Sequence, residues 1–184
     1  MIAALVVGCS ASQVHNDGGV LDLASAGGGG DLAKPAPAEP SGLSGITAAH
    51  NQVRATATPT PSPALPPLVW SSPVATTAQS WADGCQFKHS GGAYGENIFA
   101  SAGSTPTGAS VTASWASEAS DYNYATNSCS GVCGHYTQVV WRQSTQLGCG
   151  IASCSTNSPF SGFSDWTFVV CNYDPPGNSG GKPY

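Results

Sequence analysis

Charge is what this 184-residue chain has least of. Five Lys or Arg and ten Asp or Glu make up 8% of it, against roughly a quarter in ordinary soluble domains. The cations Lys34, Arg54, Lys88, Arg142 and Lys182 stand apart from one another. No basic footprint is therefore available to neutralise phosphates, and nucleic acid is excluded as a partner. No apolar run approaches the roughly 18 residues that a membrane-spanning helix needs. The signature HExxH is absent as well, which removes zincin chemistry. Internal repeats are also missing.

Cysteine, glycine and proline are present in quantity. Seven cysteines stand at 9, 85, 129, 133, 149, 154 and 171. Six of them fall in the C-terminal hundred residues, an even set that reads as three disulfides and hence as an oxidising compartment. The rival reading is a zinc knuckle built from the close pairs Cys129/Cys133 and Cys149/Cys154. The N-terminus favours export. Met1 to Gly8 are apolar or small, and Val6-Val7-Gly8-Cys9 resembles a bacterial lipobox, which makes Cys9 a candidate lipidation site. The alternative is a clipped ordinary signal peptide with Cys9 incidental. The expected location is extracellular or in the cell envelope, with membrane contact solely through that lipid anchor.

Residues 10–42 include Gly27 to Gly30 and the run KPAPAEPSG, without apolar periodicity. Such a segment buries too little surface to offset its chain entropy, and it reads as a disordered tether. A folded domain is expected over residues 43–184, after a signal or lipobox remnant at 1–9.

Within the domain, Ser44 is positioned to cap a helix carrying Ile46, Ala49 and Val53 on one face. Ser72 and Pro73 open a second helix with Val74, Ala78, Trp81 and Cys85 aligned. A third helix begins near Pro106 and carries Val111, Trp115, Glu118 and Tyr122. Strands are expected at 136–142, 146–152 and 166–173, where β-branched and aromatic residues concentrate. Helices first and strands later predict an α+β fold with a central antiparallel sheet covered by helices.

Against so little charge, four side chains stand out: His89 and Glu96 in HSGGAYGEN, Glu118 on the third helix, and His135 in GHYTQVVW. Two imidazoles and two carboxylates together suit a divalent metal such as zinc. They also suit an acid and base pair. The structural alternative is that each histidine is satisfied by a neighbouring carboxylate and knits helix to loop.

The segments AHNQVR, LVWSS, AQSWADGCQFKHS, YGENIF, YNYATNSCSGVCGHYTQVVWRQSTQLGCG and FVVCNYDPPGN cover nearly all of residues 44–184. In type and order they resemble the motifs of the CAP superfamily, nearest to its plant pathogenesis-related class 1 branch. The resemblance implies a three-layer α-β-α sandwich and a cleft lined by His89, Glu96, Glu118 and His135. It implies the pairings Cys85–Cys154, Cys129–Cys133 and Cys149–Cys171. The function it implies is that of a secreted, non-catalytic binding module that holds a divalent metal and a lipid or sterol, glycan or extracellular protein ligand. The alternative is a metal-dependent hydrolase in which Glu96 or Glu118 serves as base beside His89 and His135.

Overall fold

The computed structural model describes residues 38–184. The lipobox, Cys9 and most of the expected tether lie outside the described residues. Of that tether, residues 38–42 include Glu39 and the start of a 3-10 turn, Ser41–Leu43, whose Leu43 is fully buried.

Glu39 shapes the start of the first helix, α1 (Ile46–Ala55). Its carboxylate accepts the Gly45 N–H at 2.7 Å and the Thr47 N–H at 3.0 Å. These donors point outward at a helix start and have no partner in the helix itself. Burial pushes the Glu39 carboxyl up, but the Thr47 and Gly45 donors together outweigh it and hold it below its ordinary value. The expected Ser44 cap is thus replaced by a carboxylate from outside the helix, and Gly45 takes the left-handed conformation at the cap.

The strand β1 (Val69–Trp70) leads into α2 (Ser72–Ala82), where Ser71, one residue before the expected Ser72, holds the N-cap position and Pro73 lies in the first turn. Next come β2 (Gly95–Ser101) and α3 (Gly108–Ser117). Thr107 and Ser110 cap α3 reciprocally, each side chain accepting the other's backbone N–H at 3.2 and 2.9 Å. That helix stops at Ser117, earlier than expected. Glu118 begins a 3-10 turn, Glu118–Asp121, and Tyr122 belongs to β3 (Tyr122–Asn123), which pairs with β4 (Ser128–Cys129). After α4 (Gly134–Val139) the chain closes with β5 (Gln146–Cys154) and β6 (Trp166–Asp174).

Two expectations about the sheet are corrected. YTQVVWR forms most of α4 and no strand, because contacts at both helix ends, described below, override β-propensity. GENIFAS, outside the three expected strands, is β2. The main sheet runs β1-β5-β6-β2. Its three long strands are antiparallel as expected, and the two-residue β1 adds a parallel edge.

Side chains alternate across β6 and separate two cores. Phe168 and Val170 pack with Ala78 and Ala82 of α2. Val169, Cys171 and Tyr173 face the other way, into a cluster with Ile46, Val111, Trp115, Tyr136 and Val139 from α1, α3 and α4. The result is helix, sheet and helices in three layers. Contact between α2 and the sheet is close because Gly148 and Gly150 have no side chains. A Cβ there would lie 2.1 Å from Ala75 N and 2.3 Å from Gln79 Cα. Disulfides join Cys85 to Cys154, Cys129 to Cys133 and Cys149 to Cys171. No thiolate among them is left for a zinc knuckle. Among the described residues no helix is long and apolar enough to cross a membrane.

Candidate functional site

The four residues are gathered as two imidazole–carboxylate pairs. On the first, His89 Nδ1 lies 2.8 Å from Glu96 Oε1, and that oxygen also accepts the Ser90 N–H at 2.9 Å. Glu96 comes from the edge strand β2, and His89 from the loop that follows Cys85. Trp81 donates its indole N–H to Lys88 O at 2.9 Å, and the Cys85–Cys154 bridge ties the same loop to β5. The carboxylate is covered, at 7% side-chain exposure, whereas the imidazole is 61% exposed. Among the described residues Glu96 Oε2 is buried without a hydrogen-bond partner. Opposite it on β6 stands Asn172, whose Oδ1 is also buried and unpaired.

On the second pair, Glu118 Oε1 lies 2.6 Å from His135 Nδ1. Its Oε2 accepts the backbone N–H groups of His135 at 2.9 Å and Tyr136 at 3.2 Å. One carboxylate thus caps the start of α4 and orients the ring carried there. The indole of Trp115 stacks on that ring, with centroids 6.1 Å apart and planes at 16°.

Asn97 links the two pairs. It follows Glu96 on β2, and its amide nitrogen donates to His135 O at 3.1 Å and to Tyr173 Oη at 3.0 Å. Behind it, Tyr173 Oη lies 2.9 Å from His50 Nε2. Burial drives the His50 imidazole down to about 4, opposed by the Ile46 carbonyl and reinforced by Arg54. Burial also raises the Tyr173 phenol well above its ordinary value. Asn97, Tyr173 and His50 were not read as site residues from the sequence. The available signal was a histidine and an asparagine inside the AHNQVR and YGENIF motifs, each with an apolar neighbour on one side, Ala49 and Ile98.

Chemically, both imidazoles have Nδ1 committed to a carboxylate, which leaves Nε2 as the nitrogen each can offer. That is the arrangement by which second partners orient metal-binding histidines. Among the described residues, however, no three His, Cys, Asp or Glu side chains are placed to share one metal ion. Open cavities of about 590 Å³, at Ser101–Thr105 and Ser153–Ser155, and about 650 Å³, beside Tyr122 and Tyr124, lie elsewhere.

Three layers held by three disulfides, with two carboxylate-held imidazoles, define a cross-linked scaffold of extracellular type. Residues 47–173 match the cysteine-rich secretory protein family, CAP, and the chain belongs to it. It is 43% identical over 140 residues to "Pathogenesis-related protein 1" of Arabidopsis thaliana, covering 73% of this chain and 78% of that one. Among solved structures, venom allergen-like protein 4 of Schistosoma mansoni superposes with a TM-score of 0.62 at 25% identity, over 79% of this chain and 94% of that one. The structure described as NaASP2 with Zn2+ gives 0.61 at 26% identity, over 80% and 90%.

Proposed function

We propose that this chain is an exported, non-catalytic binding module of the defence-associated, pathogenesis-related class 1 type. In this reading, His89 and His135 present Nε2 to a divalent metal, and the surface around them receives a lipid, glycan or protein ligand. One observation carries the proposal: both Nδ1 atoms are held by glutamates, so both rings have a set orientation with the outer nitrogen unspent. Three disulfides agree with an oxidising, extracellular setting. The donor chemistry fits zinc at two positions, the remaining ligands coming from solvent or from a bound partner. That the NaASP2 structure was solved with Zn2+ is in keeping with such a site.

Recognition is favoured over turnover by what the side chains are already doing. Glu96 Oε1 and Glu118 Oε1 are each engaged by an imidazole, so neither acts as a base without breaking its pair. The six described cysteines are oxidised. Ser90 Oγ accepts the Gly92 N–H at 3.2 Å, the role of a turn hydroxyl.

Calorimetric titration with zinc tests the reading on wild type, His89→Ala and His135→Ala. Weak one-to-one binding lost in both variants is expected. Binding indifferent to both substitutions removes these histidines from the function.

A further inference from the structure

We propose that His50, Tyr173 and Asn97 form a hydrogen-bond relay of fixed direction that positions His135, with Asn97 and Tyr173 as its positioning residues. The proposal rests on the reading of the two histidines as a display site and adds what sets their geometry.

The direction follows from which atoms are able to donate. His50 Nδ1 lies 2.8 Å from Ile46 O, and a carbonyl oxygen accepts only. The proton of His50 is therefore on Nδ1, and Nε2 is an acceptor. Thr112 Oγ1, 3.1 Å from the same Nδ1, donates its own proton to Gly108 O at 2.8 Å and so accepts a share of the Nδ1 proton. Tyr173 then donates to His50 Nε2, and its oxygen accepts from Asn97. The second proton of the Asn97 amide goes to His135 O. Every donor in the chain faces an acceptor, and no other assignment of protons achieves this. His50, Thr112, Asn97 and Tyr173 are all buried, where a reversed bond would leave a polar group unpaired.

The relay reaches the site through β2. Asn97 holds the backbone of His135, while Trp115, stacked on the His135 ring, donates its indole N–H to Ile98 O at 3.3 Å. Two consecutive residues of β2 thus fix the backbone and the face of His135, and the residue before them, Glu96, fixes His89. Glu118 sets the ring rotation. One strand consequently carries the supports of both imidazoles, and the core polar chain behind it keeps that strand in register with α4.

Two measurements on the full chain test this. Long-range proton–nitrogen NMR correlations of the wild type report the His50 tautomer directly. Protonated Nδ1 with bare Nε2 is expected, and the opposite tautomer overturns the relay regardless of any variant. Tyr173→Phe then removes the hydroxyl at constant shape. The expected result is a displaced His135 ring resonance, a His89 ring resonance left in place, and zinc affinity lower by about tenfold, as for loss of other outer partners. Val111→Ala, a core substitution outside the relay, serves as the control for stability alone. A Tyr173→Phe protein that loses stability like the control while His135 resonances stay in place overturns the proposal. If wild type binds no zinc, the display reading falls, and the His135 resonances still decide the relay.

Discussion

Glu118 and Arg54 grip opposite ends of the same short helix. Glu118 accepts the N–H groups of His135 and Tyr136 at the start of α4. Arg54, reaching across from α1, donates to Val139 O at 2.9 Å and Trp141 O at 2.8 Å at its end. A six-residue helix is far too short to be stable by itself. Anion at the start and cation at the end match the helix dipole and supply partners that the helix lacks.

Glu118→Gln keeps the shape and removes the charge. We expect a loss of about 1–3 kcal/mol, the range for charge-assisted hydrogen bonds, in urea unfolding at pH 7. An unchanged midpoint would show that the carboxylate orients the ring without holding the helix.

Arg54 is buried and has no carboxylate partner among the described residues. It spends its donors on four backbone carbonyls, those of Pro66, Val139, Trp141 and Ser144. Burial lowers its pKa to about 10, so it remains charged at neutral pH. Arg54→Met strands those carbonyls and is expected to cost roughly 3 kcal/mol or more. Arg54→Lys should recover little, because a point ammonium cannot span the set. Full rescue by lysine in thermal melts would contradict the fork geometry.

The buried His50 makes stability fall with acid. Its folded pKa of about 4 lies below its ordinary 6.5, so the unfolded chain binds this proton first. Its contribution is intact above pH 6.5 and is lost as pH falls towards 4, about 3 kcal/mol over that window. Glu39 and Arg54 act on it from opposite directions, raising and lowering it. In chemical denaturation at stepped pH, His50→Gln should flatten this part of the profile. A profile of equal slope in both proteins would assign the acid sensitivity elsewhere.

The disulfides should differ in weight because they close different lengths of chain. Cys85 and Cys154 are 69 residues apart and Cys129 and Cys133 only four. On loop entropy, replacing the first pair with serine costs about 4 kcal/mol and replacing the second about 2. Equal losses in guanidinium unfolding would mean that native contacts, and not chain closure, set the difference.

Asn172 faces Glu96 across β6 and β2. Asn172→Asp places a second carboxylate beside a covered one and is expected to cost roughly 1–3 kcal/mol at pH 7, with a smaller penalty in acid, where the introduced aspartate is neutral. A penalty independent of pH would point to packing instead of charge.

Several of these features were legible along the chain. The start of α2 followed from Ser-Pro, and that of α3, to within two residues, from Pro106 and the helical spacing of Val111 and Trp115. The long antiparallel strands followed from WTFVVCNY and QLGCGIA. All four residues of the two pairs were named from their scarcity in a chain of low charge. What escaped was whatever depended on a distant partner. GENIFAS did not read as a strand because Glu96 and Asn97 occupy positions where a strand usually carries apolar groups, and their burial is compensated by His89, His135 and Tyr173. YTQVVWR read as a strand because its composition favours one, and Arg54 and Glu118, distant in sequence, make it a helix.

Composition and local pattern by themselves determined that the chain folds with an oxidised, helix-covered sheet, and which rare ionisable groups it has to use. Only the tertiary structure decided which imidazole pairs with which carboxylate, which end of a helix each charge holds, and which way the protons of the core point. Those choices depend on donors and acceptors up to 123 residues apart, and hydrogen-bond direction is set by meeting atoms in space, which no window of sequence contains.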